Sequence, residues 1–160
     1  MKFKKIDFGR QANFILALIL IHFLFFGYIS NRYEKTIGED ILYLYKIMFN
    51  PYSIISLLIL FTIVFIMVFR ENFFEYGLRN NIWLTPFIIV ESWLWYIFIN
   101  GFDVFAAIGR FFISYEGYLT IFSLLSINFF TAILAAIAKE KYKKYINKQK
   151  ELNISVNIKE

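Results

Sequence analysis

Long apolar runs separated by short polar segments dominate the pattern of this chain. Four runs, at 12–29, 52–69, 82–102 and 118–138, are each 18 to 21 residues long and almost free of charge. A helix of that length covers roughly 27–32 Å at about 1.5 Å per residue, which matches a hydrocarbon core about 30 Å thick. In lipid each run must satisfy its own backbone polar groups, and a helix does so internally. The expected fold is an all-α integral membrane protein, a four-transmembrane-helix bundle. The intervening segments are too short for a separate soluble domain, so 1–152 is read as one domain.

The connections carry patterns of their own. After Glu39-Asp40, apolar residues recur at three-and-four spacing (Ile41, Leu44, Tyr45, Met48, Phe49), and Asn50-Pro51 closes the segment. This predicts a short helix in the outer interface, with Pro51 opening the second span. The segment 103–116 is also apolar and predicts a second interfacial helix or an extension of the third span. Asp103 and Arg110 in it are candidates for an outer-surface pair. Arg70, Glu71, Glu75 and Arg79 read as a short charged turn between helices. Residues 139–152 predict a basic helical extension of the last span, and 153–160 a frayed tail.

Charge distribution sets the expected orientation. The segments on one side (N-terminus, second connection, C-terminal tail) hold thirteen Lys and Arg, against four in the first and third connections. Lys and Arg concentrate on the cytoplasmic side of membrane proteins, so both termini are expected in the cytoplasm, with the cell membrane as location. The first run is longer than the roughly 7–15 residues of a signal-peptide core, and no small-x-small signal follows it. It reads as a retained helix.

Composition narrows the chemistry. Hydrophobic residues make up 59% and charged residues 18%, against about 45–50% and about 25% in soluble domains. The absence of cysteine excludes disulfides, thiol nucleophiles, iron–sulfur clusters and thiolate zinc. A lone histidine excludes a multi-histidine metal site, and no cofactor is expected. The net charge of +5 follows from the topological bias, and no nucleic-acid partner is expected. No phosphate-binding glycine loop, His-Glu-x-x-His motif or Gly-x-Ser-x-Gly elbow occurs, so the chain is read as non-enzymatic.

Three polar residues fall near the centres of their spans: His22, Glu91 and Asn128. A carboxylate at that depth costs several kcal/mol unless it is paired, hydrated or protonated. Glu91 therefore admits three readings: a structural hydrogen bond, a dock for a basic residue of a partner helix, or a proton or cation site. His22 is expected at nearly the same depth and is its candidate partner. Asn128 is followed by Ala132, Ala135 and Ala136 on one helix face, which reads as a helix-packing surface. The tail residues Lys139, Lys141, Lys143, Lys144, Lys148 and Lys150 are candidates for contact with anionic lipid headgroups. The expected function is helix–helix association with a membrane partner, as an accessory subunit or an immunity-type regulator. The alternative is a small oligomeric proton-coupled transporter or channel using Glu91.

Overall fold

The computed structural model describes residues 8–71, 74–102 and 105–157. Among them every regular element is helical: α1 (Phe8–Leu20), a π-helical turn (Ile21–Phe26), α2 (Gly27–Glu39), α3 (Tyr43–Met48), a 3-10 turn (Pro51–Ser53), α4 (Ile54–Arg70), α5 (Phe74–Asn100), α6 (Phe105–Ile113) and α7 (Tyr115–Asn157). Four stretches, Gln11–Glu39, Pro51–Arg70, Phe74–Asn100 and Tyr115–Lys150, are long and apolar enough to cross a membrane, which suggests a membrane protein. The chain is thus an all-α helical bundle.

Three of the four helices outrun their apolar stretches. The first continues through polar residues to Glu39, with non-helical dihedrals at Tyr33 (φ −127°, ψ 27°) marking a kink. α5 starts at Phe74 and runs unbroken through Pro86. α7 has 43 residues, about 65 Å at the α-helical rise, so its C-terminal half projects beyond the other helices and continues helical to Asn157. Hydropathy marks where a helix contacts an apolar surrounding. Backbone hydrogen bonding carries the helix further.

The core runs along the bundle axis. Ile21, Phe25 and Ile29 of the first helix meet Leu60, Val64 and Met67 of α4, Leu84 and Ile88 of α5, and Leu124, Ala132 and Ala135 of α7, all buried. α7 packs most extensively against α4 and α5. Lipid is as apolar as these side chains, so close packing rather than exclusion of water holds such helices together. The alanines at 132 and 135 permit that close approach.

The two connecting helices behave differently. At the first, the Asp40 side chain accepts from the Leu42 N–H (3.2 Å), and its carbonyl accepts from the Tyr43 N–H (3.0 Å), which reverses the chain. α3 follows, but Ile41, Leu42, Tyr43, Leu44 and Ile47 are all buried. It is therefore a plug against α2, α4 and α7, leaving Lys46 and Phe49 outside, rather than a helix with a whole face open to its surroundings. Asn50 then caps the next turn by accepting from the Tyr52 N–H (3.0 Å), with Pro51 at its first position. The second connecting helix, α6, buries Phe111 but exposes Phe112 and Ile113.

Glycine is required at two corners. Gly101 ends α5 with a positive φ of 84°, the left-handed conformation that glycine adopts without strain. At the α6–α7 corner Ser114 caps α7 by accepting from the Gly117 N–H (3.1 Å). A Cβ on Gly117 would lie 1.9 Å from the Phe111 carbonyl oxygen, so no other residue fits this corner unchanged. Asp103 lies outside the described residues, as do Lys2, Lys4 and Lys5 of the basic N-terminus. Arg110 instead approaches Asp40, Nη1 to Oδ1 3.8 Å.

Candidate functional site

His22 and Glu91 meet. His22 Nδ1 lies 2.9 Å from Glu91 Oε2, joining the first helix to α5. His22 falls inside the π-helical turn Ile21–Phe26, where an extra residue per turn re-aims the side chains. The Gly27 N–H closes the turn by reaching back to the His22 carbonyl. Such turns are rare and are frequent at functional sites. The imidazole also packs on the indole of Trp95, centroid to centroid 5.5 Å. Trp95 stands four residues after Glu91, one helical turn along the same face. Its buried Nε1–H has no hydrogen-bond partner among the described residues.

Contacts at both ends of the bundle fix the depth of the pair. At one end Asn13 Nδ2 reaches Glu71 Oε1 (3.4 Å), and at the other Ser53 Oγ donates to the Tyr33 hydroxyl (3.0 Å). His22 follows Asn13 by nine residues and precedes Tyr33 by eleven, which places it about 14 Å from one level and about 17 Å from the other. Glu91 is eleven residues beyond Asn80, whose Nδ2 also donates to Glu71 Oε1 (3.3 Å). The pair sits halfway between the two ends.

The pair also faces outward. The His22 and Glu91 side chains retain 35% and 22% of their accessible surface. Glu91 lies on a stripe with Phe87, Leu94 and Phe98, one turn below and one and two turns above, and all three are exposed. Ile15 and Ile19 form the matching exposed stripe leading to His22 on the first helix. A polar centre framed by apolar side chains therefore opens on the outer surface of the α1–α5 seam. Tyr43 closes it from within. Its buried hydroxyl donates to the Ser92 carbonyl (3.0 Å), and burial, with the Glu91 charge nearby, pushes that hydroxyl well above the usual tyrosine pKa.

Asn128 lies elsewhere, in the α5–α7 contact. Its Nδ2 donates to Thr85 Oγ1 (3.0 Å), and Asn81 Nδ2 donates to its backbone carbonyl. Ala132 and Ala135 are fully buried within this chain, and Ala136 is half-buried. This small-residue face is covered by the chain's own helices.

The basic tail divides. Lys141, Lys143, Lys144, Lys148 and Lys150 are exposed, with Lys144 paired to Glu140 at 2.8 Å. Lys139 turns inward, and its Nζ donates to the Glu71 carbonyl. Glu71 itself is buried, with 3% of its surface exposed. Reading it as a turn charge missed this cluster, in which Asn13 of α1, Asn80 of α5 and Lys139 of α7 converge on one residue. The available signal was a polar residue at or beside one end of each of three apolar runs, which sequence spacing alone does not bring together. Among the described residues no group of three or more His, Cys, Asp or Glu is placed to hold a metal ion. The chain matches no protein-family model, no curated protein and no solved structure.

Proposed function

We propose that this is a non-enzymatic membrane protein that binds another membrane protein through the α1–α5 face, with Glu91 and His22 at the centre of the contact. The observation that carries this reading is the outward exposure of a hydrogen-bonded His–Glu pair midway along two apolar helices. A carboxylate that keeps 22% of its surface open at that depth faces hydrocarbon, where it costs several kcal/mol unless something covers it. A partner helix bearing Lys, Arg or another donor opposite Glu91 would complete its hydrogen bonding, and the flanking stripes Phe87–Leu94–Phe98 and Ile15–Ile19 would supply van der Waals packing. An accessory subunit or an immunity-type inhibitor acts in this way.

The Lys and Arg bias supports a cell-membrane location with both termini on the cytoplasmic side. The exposed lysines from Lys141 to Lys150 would then lie against anionic headgroups, each contributing about 1 kcal/mol near the surface. A second reading takes support from the π-helical turn at His22: in an oligomer the same pair would serve as a proton or cation site.

The test is affinity purification of the tagged chain in mild detergent, with mass spectrometry of what accompanies it. The expected result is a stoichiometric membrane partner that Glu91→Gln releases. A lone homodimer in which Glu91→Gln abolishes proton-coupled flux would transfer the assignment to transport. If the substitution alters only thermal stability, both readings fail.

A further inference from the structure

A cavity of about 600 Å³ lies among the end of α4, the start of α5 and α7. Its apolar wall follows α7 through Phe129, Ile133 and Ile137, which share one helix face at i, i+4 and i+8, and α5 adds Phe74. Phe74, Phe129 and Ile137 are exposed, so the cavity is a groove open to the surroundings of the bundle. Lys139 marks the level at which Glu71 closes one end of the bundle. Phe129 stands ten residues before it, about 15 Å deeper. That is half of a hydrocarbon core about 30 Å thick, so the groove has the depth of one leaflet.

The polar end of the groove is lined by Glu71, Lys139, Glu140 and Lys143. Both carboxylates are already engaged. Glu71 accepts from two asparagine amides and has Lys139 against its carbonyl, while Glu140 pairs with Lys144 at 2.8 Å. Lys143 stands one turn beyond Lys139, is exposed, and has no acidic partner among the described residues. Like charges at that spacing repel. With Lys139 set against Glu71 and Lys144 against Glu140, Lys143 is the uncompensated charge of the site.

We propose that this groove holds one phospholipid of net charge −1, with its phosphate at Lys139 and Lys143 and an acyl chain along Phe129, Ile133 and Ile137. One uncompensated cation calls for a single negative charge, and a zwitterionic headgroup would bring its own cation to Lys143. An apolar wall one leaflet deep, leading away from those lysines, calls for a chain attached to the anion. The exposed lysines farther along the tail attract a charged surface without selecting a molecule; the groove takes one. The proposal rests on the chain spanning a membrane and is independent of the α1–α5 contact.

The test is native mass spectrometry of the full chain in a neutral detergent, with dioleoylphosphatidylglycerol or dioleoylphosphatidylcholine added, two lipids that differ in headgroup alone. The expected result is one phosphatidylglycerol retained per chain, at a concentration about tenfold below that needed for phosphatidylcholine. Lys143→Gln is expected to cut that preference about fivefold, the worth of one basic residue near an anionic headgroup. Lys148→Gln, the same loss of charge outside the groove, is expected to leave it unchanged. Ile137→Trp, which crowds the groove at an exposed position and keeps every charge, is expected to abolish retention. Equal retention of the two lipids, or of neither, would overturn the proposal by reducing the groove to an apolar surface. Equal losses from Lys143→Gln and Lys148→Gln would replace it with diffuse attraction to the tail. Displacement of the lipid by inorganic phosphate would make this a free-anion site, and undiminished retention in Ile137→Trp would place the lipid elsewhere; either outcome overturns the proposal. The measurement needs no protein partner, so its failure and the failure of the partner-binding reading are separate results.

Discussion

Two acidic residues, Glu71 and Glu91, sit among apolar helices in opposite ways. Glu71 lies at one end of the bundle and is enclosed by it. Two asparagine amides donate to its carboxylate and a lysine donates to its carbonyl. α1, α5 and α7 are tied there to the end of α4. Glu91 lies at mid-depth with His22 as its hydrogen-bond partner and an open outward side. A polar group closed by its own fold contributes to stability, because every donor around it would be orphaned by its loss. A polar group left open on an apolar face is incompletely satisfied by its own fold, which is why the proposed contact centres on Glu91.

Substitutions separate the two roles, beginning with the largest expected effect. Glu71→Leu orphans the amides of Asn13 and Asn80 and is expected to cost about 3 kcal/mol, seen as a lower thermal midpoint in detergent, with any partner still bound below that midpoint. Tyr43→Phe removes a fully buried hydrogen bond just inside the open pair, leaves the Ser92 carbonyl without that donor, and should cost about 1–1.5 kcal/mol. Partner binding in that variant should persist, since the tyrosine lies on the inner side.

Asn13→Ala withdraws one of two amides from Glu71, and chemical unfolding should register about 1 kcal/mol. Glu91→Gln keeps a hydrogen-bonding group opposite His22 and should change stability by about 0.5 kcal/mol or less while releasing the partner in a pull-down. If it instead destabilises the isolated chain as much as Glu71→Leu does, the distinction between closed and open sites is lost. Lys144→Ala breaks only an exposed ion pair with Glu140 and should leave both the midpoint and binding unchanged.

The depth of Glu91 and His22 was legible from counting along the apolar runs, because rise per residue converts position into height with little ambiguity. Their direction was not. Whether a side chain faces the bundle or its surroundings depends on the azimuth of each helix. The long apolar runs carry hydrophobic residues on every face, so no amphipathic stripe marks the inside. The π-helical turn at Ile21–Phe26 shifts that azimuth again and has no residue signature. The Glu71 cluster was hidden for a related reason: Asn13, Asn80 and Lys139 are far apart in sequence and meet only after α1, α5 and α7 take their register.

By itself the sequence determined the helical class and the number of helices long enough to cross a membrane, since both follow from local composition set against a fixed thickness of hydrocarbon. It also marked the bounds of the short connecting helix at Glu39-Asp40 and Asn50-Pro51, where side-chain and proline chemistry act within a few residues. The tertiary structure alone decided that α3 is a buried plug, that Lys139 turns inward to Glu71, and that Asn81 donates to the Asn128 carbonyl. It also decided that Glu91 is open where Glu71 is closed. Each of these depends on which helix faces which, and in an apolar bundle that choice rests on shape complementarity and a few polar contacts rather than on any periodic pattern in the chain.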